Sequence, residues 1–257
     1  MADAPPTGGL TLVGIGPGGL DYLTRRAERA IREADVVVGY RFYLELILPL
    51  IEDKEFVEFP MGAEIERARE AVRRAREGQR VALVTGGDPG IYGMAAPVYQ
   101  ALLELEEDQA AAVNLEVVPG VTAATASAAL VGTPLIQDFA VISLSDRFVP
   151  WDVIEKRLRN ALDADLAVVI YEPASRHRPS HMTKAWRIIS EFRTEDSPVA
   201  VVRDATRPDQ TVTVTTVGEM MELPYDMKTA VIIGNSTSYV ARGLMLTPRE
   251  HPAVTDA

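Results

Sequence analysis

Two glycine-rich segments follow short apolar runs: Gly14-Ile15-Gly16-Pro17-Gly18-Gly19 after Leu10–Val13, and Thr85–Gly93 (TGGDPGIYG) after Val81–Val84. Glycine at such places lets the chain turn sharply and lets peptide N–H and C=O groups approach a ligand that side chains would hold off. The first segment formally satisfies G-x-G-x-x-G, with Asp35 at about the separation a dinucleotide site uses. Two features argue against that use. Asp35 stands immediately before Val36–Val38, at the amino end of the next strand rather than its carboxyl end, and Pro17 removes an N–H from a loop meant to offer N–H groups to pyrophosphate. The second segment lacks G-x-x-x-x-G-K-[ST] and is no P-loop. Its Asp88 either accepts hydrogen bonds from a ligand hydroxyl or amine, or makes a chemically silent Asp-Pro turn.

Other residues carry chemistry of a different kind. The run Ile142–Asp146 (ISLSD) ends in Ser145 and Asp146 and is followed at once by Arg147. A Ser-Asp pair at a strand's carboxyl end can hold or move a proton in a cleft; the bland alternative is an Asp that starts a helix before Pro150 and Trp151. Arg176, His177 and Arg178 follow an apolar run ending at Tyr171, where they meet ligand carboxylates or line a solvated face. His177 and His181 have the i, i+4 spacing of a helical metal pair, but Pro179 starts the helix and leaves His177 outside it. No clustered carboxylate accompanies them, so no metal site is expected. There is no G-x-S-x-G elbow and no H-E-x-x-H.

Composition narrows the function classes. With 26 Lys plus Arg against 37 Asp plus Glu, the net charge of −11 argues against a general nucleic-acid coat, and any basic patch must be local. Zero cysteines exclude disulfides and thiolate chemistry and are consistent with a reducing cytosol. Met1–Thr7 has neither a basic start nor an apolar stretch, so no targeting segment is expected. The uncharged stretch Val117–Gln137 is long enough to span a bilayer, yet small residues dominate it and Pro119 and Pro134 interrupt it. A packing or ligand surface is expected there, with no membrane partner.

The elements that would position these residues alternate in the first half. Strands are expected at Leu10–Val13, Val36–Val38, Val81–Thr85 and Leu115–Val118, and helices after Leu23, over Phe42–Ile51 ending near Pro49, over Ala63–Glu77 stopped by Gly78, and over Ile91–Leu105. Strands separated by helices imply parallel crossovers and an α/β sheet, with ligands at the strands' carboxyl ends. After a small-residue helix at Thr122–Val131 come strand-like runs at Ala140–Leu144, Ala167–Tyr171, Val199–Val202, Thr211–Val217 and Ala230–Ile233. The closeness of the last two suggests a mixed sheet with an antiparallel part. The change near Pro119 and Gly120 divides the chain into α/β domains of residues 1–119 and 120–257.

The segments Gly14–Gly18 followed by Leu23-Thr24, then Thr85–Gly93, then Pro119–Ala124 (PGVTAA), in that order, resemble the tetrapyrrole methylases, which use S-adenosylmethionine (SAM). The resemblance runs from about Leu10 to Tyr239. Val37–Tyr40 with Tyr43, Phe59–Gly62, Asp138-Phe139, Ile142–Asp146, Pro150-Trp151 and Ile232–Ser236 are similar to the subgroup that methylates ring carbon 17 of precorrin-3B, and to its anaerobic counterpart acting on cobalt-factor III. The resemblance implies two α/β domains with SAM folded in the cleft between them, contacted by Pro17, Gly86, Gly87, Asp88, Ile91, Thr122, Ala123, Glu172 and Ala205. Glu172 stands where the family has Asn, in a Tyr-Asn-Pro after the central strand of the second domain. It further implies methyl transfer with ring contraction on a polycarboxylate tetrapyrrole, by a homodimer, while the cytoplasm is the compartment that the lack of cysteine suits. Asp146, Ser145 and Asp138 are then candidates for the acid or base that ring contraction needs, and Arg147, Arg176 and Arg178 for the local positive patch. The alternatives are a sibling methylase acting at another ring carbon or on a non-tetrapyrrole, and a non-catalytic tetrapyrrole- or nucleotide-binding module.

Overall fold

Strands whose residues are apolar on both faces need helices on both faces, and the first half of the chain is built that way. The computed structural model describes residues 8–250; Met1–Thr7, the segment expected to lack a targeting signal, lies outside the described residues. The chain forms two compact units divided between Thr122 and Ala123.

In the first unit, β1 (Gly9–Gly14), β2 (Val36–Tyr40), β3 (Glu55–Phe59), β4 (Arg80–Thr85) and β5 (Asn114–Val118) make one sheet in the order β3-β2-β4-β1-β5. Every pairing is parallel. Alternate residues go to opposite faces. Leu10, Leu12, Val36, Val38, Val81 and Leu83 pack with α4 (Glu64–Arg76) and α5 (Ala95–Leu103). Val13, Val37, Ala82, Val84 and Val118 pack with α1 (Arg25–Glu33), α2 (Arg41–Leu46) and α3 (Leu48–Ile51). Thr24 starts α1, its Oγ1 accepting from the Ala27 N–H at 3.1 Å, and Gly78 stops α4 at φ +92°. Asp35 takes the Arg80 backbone N–H at 2.8 Å and its guanidinium at 2.5 Å. The Arg80 hydrogen bonds hold the Asp35 carboxyl below the usual range. The pair ties β2 to β4 at the edge away from the glycine segments, which accounts for Asp35 without a ribose.

Several expectations are corrected in detail. The single helix expected over Phe42–Ile51 is two, α2 and α3, and Pro49 sits in the first turn of the second instead of ending the first. A proline loses nothing there, since first-turn N–H groups have no helical partner. The expected helix from Ile91 starts only at Ala95, because Asp88–Met94 is a turn whose end is held by the Ala95 N–H on the Pro89 carbonyl, 3.0 Å. Neither β3 nor α6 (Glu107–Ala111) was legible, being short and charge-rich. An exposed, acidic edge strand is how proteins discourage edge-to-edge pairing.

In the second unit, α7 (Ala123–Val131) leads through β6 (Gly132–Thr133) into β7 (Phe139–Ser143), α8 (Trp151–Asp163), β8 (Ala167–Tyr171), α9 (His181–Phe192), β9 (Pro198–Arg203), β10 (Thr211–Thr216) and β11 (Thr229–Ile233). The order is β10-β9-β11-β8-β7, with β7 and β8 parallel and the other pairs antiparallel. The sheet is mixed, but β10 and β11 pair with β9 rather than with each other, and β11, not β8, holds the middle place. The strands β12 (Tyr239–Ala241) and β13 (Leu244–Leu246) form a small sheet with β6. Helices α8 and α9 cover one face of the large sheet through Leu158, Leu162, Met182 and Ile189.

Arg193 fastens this unit. Its guanidinium donates to the carbonyls of Gly234 (2.8 Å), Leu162 (3.2 Å), Phe192 (3.2 Å) and Leu166 (3.1 Å), with Asp165 at 3.2 Å. Arg193→Met strands those buried carbonyls and should cost about 3 kcal/mol in a urea unfolding titration. A loss below about 1 kcal/mol would show that water replaces the clasp.

Candidate cofactor and substrate site

Strands β1, β4 and β5 end side by side, and the segments that leave them touch backbone to backbone. The Gly16 N–H donates to the Gly87 carbonyl (3.2 Å), the Gly87 N–H to the Gly16 carbonyl (2.7 Å), and the Ile15 N–H to the Thr85 carbonyl (2.9 Å). A Cβ on Gly14 would lie 2.7 Å from the Gly120 nitrogen, and one on Gly120 only 2.1 Å from the Gly87 carbonyl oxygen. Asp88 joins the segments: Oδ1 accepts from the Gly90 N–H (2.8 Å) and Oδ2 from the Gly120 N–H (3.1 Å). It therefore makes a turn and staples β4's end to β5's, with a lone pair left on each oxygen. The Tyr43 ring occupies the space a side chain at Gly86 would need, 2.6 Å from the ideal Cβ. Gly87 differs: at φ +64°, its Cβ position meets nothing nearer than the Thr122 Cα, at 3.9 Å. The peptide face at Gly87 is thus open within its own unit. Pro17 is buried beside Gly16, while Ile91 is 38% exposed.

In the second unit, the carboxyl ends of β7, β8 and β9 share one edge, since β9 and β8 both run antiparallel to β11. Three non-glycine residues at that edge adopt left-handed conformations: Glu172 (φ +52°), Asp204 (φ +49°) and Thr206 (φ +65°). Such residues cost roughly 1–2 kcal/mol each and cluster at functional sites. Glu172 accepts from the Ser143 hydroxyl at 2.9 Å. Asp204, only 3% exposed, is held by Arg203 (2.9 Å), Arg207 (3.1 Å) and Lys228 (3.6 Å), and Ala205 next to it is buried. The Tyr171 hydroxyl accepts from the Ala124 N–H at 2.5 Å, satisfying one open donor of the first turn of α7 beside Ala123.

The expected catalytic trio is not assembled. Ser145 and Asp146 follow the carboxyl end of β7, where the Ser145 N–H donates to Ser143 Oγ at 3.1 Å. Asp138 precedes the strand; its backbone carbonyl takes the Ala167 N–H at 3.3 Å. A strand of that length separates its two ends by about 17 Å. Asp138 is thereby removed from the set. Asp146 is not a helix cap either: α8 has Pro150 at its N-cap and no side-chain cap. Its Oδ2 instead lies 3.4 Å from His181 Nε2.

The arginines also differ. The Arg147 guanidinium lies over the Phe148 ring, 4.9 Å from its centroid, and Arg176 is exposed. Arg178 turns into its own loop, donating to Ser175 Oγ at 3.3 Å and facing Met227 Sδ at 3.4 Å. His177 is exposed outside α9, whereas His181 is its first residue. Among the described residues no three His, Asp or Glu side chains gather as for a metal ion, and no helix is long and apolar enough to cross a membrane. The contact of His181 with Asp146 escaped sequence reading, because its only sequence signal, the spacing to His177, pointed elsewhere. Asp204 and the Tyr43 ring over Gly86 carried no signal of spacing at all.

The glycine geometry makes a graded prediction. Gly120→Ala forces backbone apart and should destabilise the chain by about 3 kcal/mol or more. Gly87→Ala meets open space and should cost only the roughly 1–2 kcal/mol of a left-handed alanine. Equal losses in thermal unfolding would contradict the close approach at Gly120.

Residues 9–221 match the family model of the Tetrapyrrole (Corrin/Porphyrin) Methylases. The chain is 43% identical over 240 residues to a probable cobalt-factor III C(17)-methyltransferase of Salmonella typhimurium, covering 93% of this chain and 98% of that one. It is 40% identical over 242 residues to the cobalt-factor III methyltransferase of Priestia megaterium, covering 94% of this chain and 45% of that one. The chain thus spans about half the length of some curated relatives that it matches. Among solved structures, the methyltransferase CobJ superposes with a TM-score of 0.88 at 34% identity, covering 94% of this chain and 100% of that one. A uroporphyrin-III C-methyl transferase of Thermus thermophilus complexed with S-adenosylhomocysteine gives 0.68 at 27% identity, covering 88% and 92%.

Proposed function

Because the chain belongs to the tetrapyrrole (corrin/porphyrin) methylases, we propose that it transfers a methyl group from SAM to carbon 17 of precorrin-3B or cobalt-factor III in cobalamin biosynthesis, with ring contraction. The observation that carries this reading is the open peptide face at Gly87, between the Asp88 staple and Thr122, on the scaffold of a family in which one member was crystallised with S-adenosylhomocysteine. Adenine, ribose and methionine need flat walls, peptide hydrogen bonds and a few polar partners. The family resemblance assigns these contacts to Gly86, Gly87, Asp88 and Ile91, with Pro17 and Thr122, in the first unit, taken as the N-terminal domain, and to Ala123, Glu172 and Ala205 in the second, the C-terminal domain. When bound, SAM provides a methyl group on a sulfonium, and transfer is an in-line displacement. The protein's part is then to align carbon with sulfur and exclude water.

Ring contraction requires in addition that a hydroxyl lose its proton, and we assign that role to Asp146 with Ser145 beside it. Glu172, bonded to Ser143, puts a carboxylate where the family resemblance implies Asn. A polycarboxylate substrate meets a chain of net charge −11, so the exposed Arg147 and Arg176 are its proposed anchors, with Arg178 shaping their loop. The absence of cysteine suits a reducing cytoplasm, and the homodimer follows the family resemblance.

Incubating the protein with labelled SAM and a panel of precorrins and cobalt-factors tests the reading. Turnover of precorrin-3B or cobalt-factor III is expected; turnover of another intermediate alone would make the protein a sibling methylase, and saturable binding without transfer a binding module. Two variants localise the ligands. Gly87→Val should weaken SAM binding at least tenfold by calorimetry while the protein stays folded, and an unchanged affinity would remove this loop from the cofactor site. Arg147→Ala with Arg176→Ala should weaken tetrapyrrole binding and spare SAM; equal loss of both ligands would contradict the anchoring role.

A further inference from the structure

His181 is 5% exposed, and its environment dictates where its proton sits. Nδ1 lies 2.8 Å from the Leu144 carbonyl oxygen, which can only accept, so Nδ1 carries hydrogen. In a neutral ring Nε2 is then left with a lone pair, and this nitrogen faces Asp146 Oδ2 at 3.4 Å. A carboxylate facing a lone pair is repulsive; one proton between them converts the contact into a charge-assisted hydrogen bond. The Trp151 ring lies against the imidazole, with centroids 4.9 Å apart at 52°, and Lys184 Nζ sits 5.0 Å from the centre of that indole. The imidazole is thus walled by Leu144 and Trp151, and Asp146, its side chain 39% exposed, is the member of the pair that a substrate can reach.

We propose that His181 is the positioning residue for Asp146: it fixes the carboxylate at the end of β7 and, when the substrate's proton arrives, shares that one proton through Nε2, so the two take it up and return it as a unit. The inference rests on the methylation and ring-contraction reading above. In the step it serves, the substrate O–H bond breaks, its electron pair stays on the substrate oxygen, and the proton passes to the Asp146 carboxylate. There it becomes the proton shared with His181 Nε2, and it leaves to solvent after product release. The helix start at Ser180-His181 and the backbone carbonyl of Leu144 are the fixed parts; neither needs to move.

Two measurements on the full chain test this. Long-range 15N NMR of the ligand-free protein should show His181 protonated at Nδ1, with an Nε2 resonance that shifts in Asp146→Asn. In turnover, Asp146→Asn and His181→Gln should each slow formation of contracted product about 100-fold. SAM affinity should be unchanged, methylated uncontracted tetrapyrrole should accumulate, and the double variant should be no slower than the slower single one. Multiplying effects in the double variant, or wild-type rates in either single one, would overturn the proposal. If the wild-type protein converts no tetrapyrrole, the functional reading fails. The NMR arm then still decides the pair, which is overturned by an Nε2 resonance indifferent to Asp146→Asn.

Discussion

The close packing of peptide groups where β1, β4 and β5 end is the constraint on which the rest of the first unit depends. Gly14, Gly16, Gly87 and Gly120 bring three chain segments closer than any Cβ would permit at Gly14 or Gly120, and the Asp88 carboxylate holds two of them through backbone N–H groups. Such contact is possible only if the strands end level. The parallel register does this, placing Gly14 opposite Thr85 and Val13 opposite Val118. Register in turn is fixed by burial, because a slip of one residue would turn Leu10 and Leu12 from one helix layer toward the other. Helices, hydrophobic alternation and glycine loops are therefore one device, whose product is an open, rigid peptide face at Gly87.

The second unit reaches its polar edge by different means. Among the described residues it has no comparable glycine cluster there; instead Glu172, Asp204 and Thr206 are held in left-handed backbone at strand ends, against their intrinsic preference. The buried Asp204 carboxylate, surrounded by Arg203, Arg207 and Lys228, helps fix the turn that carries Ala205. The same edge carries Ser143 bonded to Glu172 and, past the end of β7, Asp146 facing His181. Strain and buried charge of this kind are tolerated where positioning outweighs stability.

Much of this was readable from the sequence because it rests on local pattern. The apolar runs at Leu10, Val36, Val81 and Leu115 became strands, and the glycine segments stand at their carboxyl ends. Asp35 stands before its strand, as its sequence position requires, and pairs there with Arg80. What stayed hidden depends on contacts distant in sequence. Nothing in ISLSD announces that Asp146 meets a histidine at the start of a later helix, and nothing in RHR tells that Arg178 folds back on Ser175 while Arg176 stays out. Asp138 and Asp146 flank the expected strand at Ala140–Leu144, and its length alone, about 17 Å over five extended residues, sets them at opposite ends of the sheet. The short β3 and α6 were lost because charged residues mask their periodicity.

The proposal that stands or falls first is that the glycine segments of the first unit seat SAM. Amide hydrogen exchange with and without S-adenosylhomocysteine tests it most directly. Added protection should concentrate at Gly86–Ile91 and around Thr122-Ala123, with the remaining edge of the first sheet, including β3, unchanged. Saturable binding of S-adenosylhomocysteine that leaves Gly86–Ile91 exchanging as in the free protein would contradict it.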